Sequence, residues 1–283
     1  MPFDYQTVKH WPIAAASEDY DRAACAAFAH AIGAGLAPAY AAIEQPYIDG
    51  ELALPMMAVI LGSAGALWTN EPETGIDWTR MLHAEEAVTL HRPLPPRGRI
   101  TAQFAVDEIY DKGAGKGALM YESARLVDAS GEHLATVKVT MFLRGNGGQG
   151  GATGEAPKPR PAPPDRAPDA VIELPTPRDD DAPYKLPAIF DAARNAGGGA
   201  AQSMLRGVCA FGLAGRALIL GACGGDAVRL QQIGLRYTGP VFTAETLRTE
   251  IWQLGEGRMA FRVKSIERDS VVMNNGYAQI QAS

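Results

Sequence analysis

Residues 203–221 have the sequence SMLRGVCAFGLAGRALILG, an apolar segment of helix length that contains two charged residues. Four segments with the residue pattern of β-strands follow it, at residues 228–237, 245–254, 257–267 and 270–280. A long apolar helix next to an antiparallel sheet can bury itself against one face of that sheet. The sequence therefore predicts an α+β fold in which the sheet wraps the helix.

The first half of the chain repeats this plan. Apolar residues recur at helical spacing over residues 20–31, and residues 55–67 form an apolar, glycine-punctuated segment of helix length. Predicted strands follow at residues 86–91, 99–110, 117–127 and 134–144. Two copies of one plan predict two similar units, but periodicity alone does not determine the order of their strands.

Glycine, proline, alanine and charged residues dominate the sequence between the two units, over residues 145–183. Proline fixes the backbone angle φ and removes a hydrogen-bond donor, so this composition is typical of a partly extended linker. We predict an N-terminal unit at residues 1–147, a linker at 148–183 and a C-terminal unit at 184–283. Within the linker, residues 170–174 have the pattern of a short strand.

Composition and charge exclude several classes of protein. The net charge of −6 argues against a nucleic-acid partner, because phosphate binding needs a basic face. No apolar run approaches the roughly 20 residues of a membrane helix, and residues 1–4 lack a signal-like start, so we expect a cytoplasmic protein without membrane contact. Cys25, Cys209 and Cys223 have no disulfide or metal spacing, and we expect core thiols and no metal.

Short motifs distributed over nearly the whole chain resemble those of one family. They are MLHAEE (81–86), RPLP (92–95), DKGAG (111–115), FLRGNGG (142–148), PDAV (168–171), LRGVCAFG (205–212), GPVF (239–242) and TLRTE (246–250). They resemble the MaoC-like (R)-specific enoyl-CoA hydratases, most closely the hydratase domain of peroxisomal multifunctional enzyme type 2. The resemblance implies a double hot-dog fold, a degenerate N-terminal unit that binds substrate, an acyl-CoA thioester substrate with no separate cofactor, and a homodimer.

The family's catalytic motif is missing from this chain. The resemblance places an Asp and a His, in the pattern Gly-Asp-x-Asn-Pro-x-His, shortly after the position of Tyr184, which is itself expected near the substrate. The sequence that follows Tyr184 preserves neither residue at that spacing, and the last histidine of the chain is His133. Asp191 and Asn195 remain as catalytic candidates because they are one helical turn apart. The alternative is that both are solvated on a short helix.

The start of the long helix is the predicted substrate-binding point. Arg206 stands where the family has a histidine, and its guanidinium could hold a thioester oxygen or an acyl carboxylate, or could point outward. The backbone N–H groups of Gly207 and Val208 could bind an oxyanion whatever side chains surround them.

His83 is the remaining candidate for acid/base chemistry or substrate binding. It is followed by Glu85 and Glu86, and in a regular strand His83 and Glu85 would share one face while Glu86 would lie on the other. A purely structural histidine is the alternative. The resemblance also implies a functional glutamate after a tyrosine, upstream of the first long helix. The corresponding segment here contains Asp49 and Glu51 at shifted spacing, and neither can be assigned to that role.

Four basic residues are candidate contacts for the coenzyme A phosphates, with simple solvation as the alternative: Lys112, Lys116, Arg229 and Arg236.

These observations leave three functional hypotheses. The first is a hydratase that adds water to trans-2-enoyl-CoA or removes it from (R)-3-hydroxyacyl-CoA. The second is a catalytically silent acyl-CoA-binding or partner subunit. The third is a dehydratase of a carboxylated substrate that Arg206 recognises.

Overall fold

The computed structural model describes residues 3–63, 68, 71–152, 155–158, 160–178, 184 and 202–281. The α-helices in these residues are α1 (Tyr5–Lys9), α2 (Arg22–Ala31), α3 (Ala41–Ile48) and α4 (Gly207–Ala222). The strands are β1 (Ala16–Tyr20), β2 (Met81–Leu90), β3 (Gly98–Asp111), β4 (Ala118–Asp128), β5 (His133–Leu143), β6 (Ala170–Pro175), β7 (Leu230–Tyr237), β8 (Thr246–Gln253), β9 (Arg258–Ser265) and β10 (Ser270–Ile280). Short 3-10 helices lie at Pro38–Tyr40, Pro55–Val59, Pro72–Thr74, Trp78–Arg80 and Ala227–Arg229.

The described strands form one ten-stranded antiparallel sheet in the order β1-β3-β4-β5-β2-β7-β10-β9-β8-β6. The first and second halves of the chain meet where β2 pairs with β7, with Val88 opposite Ile233. The short strand predicted at residues 170–174 is confirmed as β6, which pairs with β8 at the edge of the sheet. The division into two units and a linker stays a prediction.

Helix α4 is buried along most of its length against β6, β7 and β8. Its glycines allow close approach: a Cβ on Gly212 would lie 2.6 Å from Cγ2 of Ile32, and one on Gly215 would lie 2.2 Å from Sδ of Met56. A helix that is apolar on all sides is stable only when it is enclosed in this way. The helix predicted within residues 203–221 is confirmed, and the α+β class with it.

Arg216, which lies in the middle of α4, forms a buried ion pair with Glu44 of α3. The two residues are 2% and 3% exposed. The Nε group of Arg216 donates to Oε1 of Glu44 at 2.7 Å, and Nη1 donates to the backbone oxygen of Ile32 at 2.6 Å. The second carboxylate oxygen of Glu44 accepts from the N–H of Gly35 at 2.9 Å. This network ties α4 to α3 and to the loop that follows α2.

Some local predictions are wrong or incomplete. The helix predicted over residues 55–67 is wrong at its start, because Pro55–Val59 is a 3-10 helix and Gly62 then adopts a positive φ of 61°. Residues 64–67 lie outside the described residues. Strand β1 was not predicted, because its sequence ASEDY is polar and it lies at the edge of the sheet. Helix α3 was missed because it has eight residues and Pro46 inside it.

The described residues contain neither a metal-binding cluster nor a membrane helix. Within the ranges given above, no three His, Cys, Asp or Glu side chains are placed to hold a metal ion. No helix in the same residues is both long enough and apolar enough to cross a membrane. The three cysteines are free and buried, as predicted. Burial raises the pKa of Cys209 to about 12, so this thiol stays protonated at neutral pH.

Candidate functional site

Two ring side chains from the sheet pack directly against the start of α4. Gly207 is the first residue of this helix. A Cβ on Gly207 would lie 3.0 Å from Cζ of Tyr237 and 3.5 Å from Nδ1 of His83. The two rings also touch each other, with centroids 4.9 Å apart. The first backbone N–H groups of α4 therefore lie beside a histidine and a tyrosine. The first N–H groups of a helix have no partner within the helix, so this position favours negative charge.

Replacing Gly207 by alanine tests this close packing. The new methyl group would press against the Tyr237 ring, whose hydroxyl is held by Glu86, so Gly207→Ala is expected to lower the free energy of unfolding by about 1–3 kcal/mol, as overpacking commonly does. Urea denaturation measures the change. Gly98→Ala is the matched control, because its Cβ would meet no atom closer than 3.8 Å. Equal stability losses in the two variants would contradict the packing described here.

A β-bulge in β2 determines which side chains face α4. The register between β2 and β5 shifts between His83 and Glu85, so the regular alternation of faces is broken there. The His83 ring packs at a tilt against the Tyr237 ring, and Glu86 accepts a hydrogen bond from the same tyrosine. Glu85 points to the opposite face and pairs with Arg236, whose Nη2 lies 2.6 Å from its Oε1. The prediction that His83 shares a face with Glu85 is therefore wrong, because it assumed a regular strand.

Tyr237 connects the sheet to the helix start. Besides contacting Glu86, its hydroxyl lies 3.0 Å from the backbone oxygen of Gly207. Burial, together with the charge of Glu86, raises the pKa of Tyr237 well above 10, so the phenol keeps its proton at neutral pH. Tyr237 was not among the predicted site residues; its sequence signal was only its position at the end of the predicted strand 228–237.

One ring nitrogen of His83 is buried and lacks a hydrogen bond to any described residue. This atom is Nε2, which has no hydrogen-bond partner in the part of the chain that the structure describes. A buried polar atom without a partner is costly, and such atoms call for an explanation such as a bound water or ligand. An imidazole nitrogen can accept a proton, and the imidazolium that forms can return it. His83 is therefore a group capable of acid/base chemistry at the start of α4.

The other predicted substrate-binding residues lie near the same helix end. The backbone oxygen of Tyr184 accepts from the N–H of Arg206 at 2.7 Å, and the Tyr184 ring lies edge-on to Phe28 with centroids 6.3 Å apart. Arg206 is the residue before α4; it is exposed and its side chain makes no capping bond to the helix. Val208 is half-buried in the first turn. Asp191 and Asn195 lie outside the described residues.

The four candidate phosphate contacts are not gathered at one place. Lys112 lies 5.6 Å from the centroid of the Phe142 ring, and Lys116 belongs to the turn between β3 and β4. Arg229 donates to the backbone oxygens of Gln281 and Cys223, both at 3.1 Å. Arg236 lies near the far end of β7 from Arg229, roughly 20 Å away at the usual rise per residue. These two arginines cannot hold the same phosphate.

An apolar cavity of about 230 Å³ lies beside this site in the first half of the sheet. Six of its wall residues come from neighbouring strands: Phe104, Ala124, Leu126, Val137, Val139 and Met141. Its wall also includes one acidic side chain, Glu122 of β4, whose Oε1 accepts from Nε1 of Trp68 at 2.8 Å. Burial raises the pKa of Glu122 to about 7. We refer to this space as the apolar cavity.

The raised pKa of Glu122 predicts a specific pH dependence of stability. The ordinary value is 4.5, so between pH 4.5 and 7 the folded chain holds a proton that the unfolded chain releases, and stability falls as pH rises. The full effect amounts to about 3 kcal/mol above pH 7. Glu122→Gln has no such loss and is expected to exceed the wild type in stability at pH 8 but not at pH 5. Urea denaturation at both pH values measures this, and parallel pH profiles would contradict it.

Comparison with known proteins identifies the family. Residues 19–145 match the family model of the MFE-2 hydratase 2 N-terminal domain. The chain is 35% identical over 270 residues to 3-hydroxyacyl-thioester dehydratase Y of Mycobacterium tuberculosis, covering 90% of this chain and 91% of that protein. It is 30% identical over 244 residues to probable enoyl-CoA hydratase 2 of Dictyostelium discoideum, covering 82% of each. The chain therefore belongs to the MaoC-like hydratase family.

A solved structure has the same architecture. The crystal structure of a MaoC-like dehydratase from Phytophthora capsici superposes with a TM-score of 0.80 at 27% identity, covering 99% of this chain and 98% of that chain. Part of full-length peroxisomal multifunctional enzyme type 2 from Drosophila melanogaster shares the fold, with a TM-score of 0.73 at 22% identity; the match covers 94% of this chain and 48% of that chain. The predicted double hot-dog fold is confirmed.

Proposed function

We propose that this protein is an (R)-specific 2-enoyl-CoA hydratase that works reversibly as a 3-hydroxyacyl-CoA dehydratase. The observation that carries the proposal is the meeting of His83, Tyr237 and the first backbone N–H groups of α4 at one point. Hydration adds the hydroxyl of water to the β carbon of the enoyl thioester and a proton to the α carbon. Negative charge develops on the thioester oxygen during the attack, and donors placed for that oxygen stabilise it.

The helix start and the rings have different tasks in this reaction. The N–H groups of Gly207 and Val208 hold the thioester oxygen, because a helix start favours negative charge. His83 exchanges a proton with water through Nε2, which has no partner in the described part of the chain. Tyr237, as a neutral phenol, holds the Gly207 carbonyl and the Glu86 carboxylate in place. Asp191 and a water bound by Asn195, both residues lying outside the described part of the chain, stay proposed as further sources of the proton.

The apolar cavity is proposed to take the acyl chain. It reaches β2 at Met81, which is two residues before His83 on the same strand. Burying methylene groups of an acyl chain contributes about 0.8 kcal/mol each, so a cavity walled by Phe104, Leu126 and Met141 favours substrates with a medium-length chain over short ones.

The test is to incubate the purified protein with trans-2-enoyl-CoA thioesters of increasing chain length, one of them carrying a distal carboxylate, and to follow loss of the conjugated double bond. Turnover that rises from short to medium chains supports the proposal. A preference for the carboxylated chain that Arg206→Gln abolishes would favour the dehydratase of a carboxylated substrate.

A second candidate is a catalytically silent acyl-CoA-binding subunit. The observation that favours it is the absence of the family's Asp and His motif after Tyr184. General acid and general base groups each contribute about 100- to 10,000-fold to a rate, so their loss without a substitute removes measurable turnover. Calorimetric binding of saturated decanoyl-CoA without any turnover of trans-2-decenoyl-CoA would support this candidate.

We also propose that the protein is a cytoplasmic homodimer. The homodimer is supported by the family resemblance. The compartment is supported by three buried, free cysteines, which are usual for proteins of reducing compartments. Light scattering of the purified protein measures its mass, and a mass equal to that of one 30.0 kDa chain would refute the dimer.

A further inference from the structure

Glu122 faces the same side of the sheet as the candidate site. Glu86 and Glu122 are both paired with Val139 of β5, one from each side, so these three residues form a row across β2, β5 and β4. Neighbouring strands are roughly 5 Å apart, which places Glu122 roughly 10 Å across the sheet from Glu86. Val139 and Glu122 both line the apolar cavity. The cavity is therefore lined both by Glu122 and by Met141, the residue paired with His83 in the sheet.

Among the described residues, one oxygen of the Glu122 carboxyl is free of protein hydrogen bonds. Oε1 accepts the bond from Trp68. The described residues supply no hydrogen bond to Oε2, and this oxygen is not among the buried atoms. A carboxyl group in an apolar wall loses much of its hydration. When an apolar ligand packs against that carboxyl group, the free oxygen has no hydrogen-bond partner, which costs free energy. Burial raises its pKa to about 7, in agreement with these surroundings.

We propose that Glu122 is a specificity residue that hydrogen-bonds a hydroxyl group on the distal part of the acyl chain. The substrate class is then acyl-CoA thioesters whose tails carry a hydroxyl group, in preference to plain alkyl tails. A ligand hydroxyl can donate to Oε2, whereas a methyl group at the same place leaves Oε2 unpaired. This inference rests on the proposed function, because it takes the apolar cavity as the place of the acyl chain.

Calorimetry with saturated acyl-CoA thioesters tests the proposal without requiring turnover. The probes are octanoyl-, decanoyl- and dodecanoyl-CoA, each compared with its terminally hydroxylated counterpart. The wild type is expected to bind at least one hydroxylated chain about tenfold or more tightly than its plain counterpart, as a hydrogen bond to an ionisable group in an apolar wall allows. Glu122→Leu is expected to remove this preference, and Glu122→Gln to retain most of it.

A substitution in the same wall provides the control. Met141→Leu conserves volume and is expected to change the affinity for both kinds of chain equally, leaving their ratio unchanged. A wild type that binds plain and hydroxylated chains equally well at all three lengths overturns the proposal, and this comparison needs no variant to fold. A preference that persists in Glu122→Leu also overturns it. Failure of every acyl-CoA to bind would instead overturn the proposed function itself.

Discussion

Replacing His83 by glutamine is expected to reduce the turnover of trans-2-enoyl-CoA by about 100- to 10,000-fold, the usual contribution of a general acid/base group. Glutamine keeps a polar side chain next to Tyr237 but cannot exchange a proton near neutral pH. Initial rates of loss of the conjugated double bond measure kcat and KM. If His83 acts chemically, kcat falls while the affinity for saturated decanoyl-CoA changes little.

The controls separate chemistry from structure. His91→Gln changes an exposed histidine that stacks on His133, with centroids 4.0 Å apart, and is expected to leave kcat unchanged. If His83 had only a structural role, its replacement would weaken decanoyl-CoA binding and lower stability together. Unchanged kcat in His83→Gln would remove His83 from the reaction and leave Asp191 and Asn195 as the groups to replace.

Arg216→Met is expected to lower the free energy of unfolding by about 3–5 kcal/mol, the usual cost of breaking a buried ion pair from one side. The carboxylate of Glu44 would remain 3% exposed and would keep only the N–H of Gly35 as a donor among the contacts described. Methionine is the replacement of choice because it is unbranched and adapts to an irregular space. Urea denaturation at pH 7 measures the loss.

Two further variants show whether the loss comes from the unpaired charge. The double variant Arg216→Met/Glu44→Leu removes both charges and is expected to recover most of the stability, because apolar replacement of a buried pair is often neutral or stabilising. Arg99→Ala removes an exposed ion pair with Asp19 and is expected to cost less than about 1 kcal/mol. An effect of Arg216→Met as small as that of Arg99→Ala would contradict the role assigned to the buried pair.

Most strands and the long helix could be predicted, because elements that are buried on one or more faces carry a recognisable pattern of apolar residues. The sequence of strand β5 alternates between apolar and polar residues from Ala135 to Thr140, and α4 is apolar because the sheet encloses it. Strand β1 could not be predicted, because an edge strand with the sequence ASEDY carries no such pattern. The 3-10 helix at Pro55–Val59 has the composition of a longer helix, and only the tertiary structure decides its length.

The candidate site was partly predictable. Gly207 and Val208 were predicted as backbone donors at the helix start, and His83 was predicted from the two glutamates that follow it; the structure brings His83 and Gly207 together. The common face of His83 and Glu86 could not be predicted, because it depends on the bulge between His83 and Glu85, and residue spacing alone does not reveal a bulge. The row that places Glu122 near the site depends on the register of three strands, which the sequence of each strand does not specify.

The most direct test of the central claim is the configuration of the product. Purified wild-type protein is incubated with trans-2-decenoyl-CoA, and the 3-hydroxydecanoyl product is resolved by chiral chromatography after hydrolysis of the thioester. We expect loss of the conjugated double bond and a product that is predominantly the (R) enantiomer. We also expect His83→Gln to form this product more slowly than the wild type. Binding of decanoyl-CoA without any hydration, or a product of (S) configuration, would contradict the central claim.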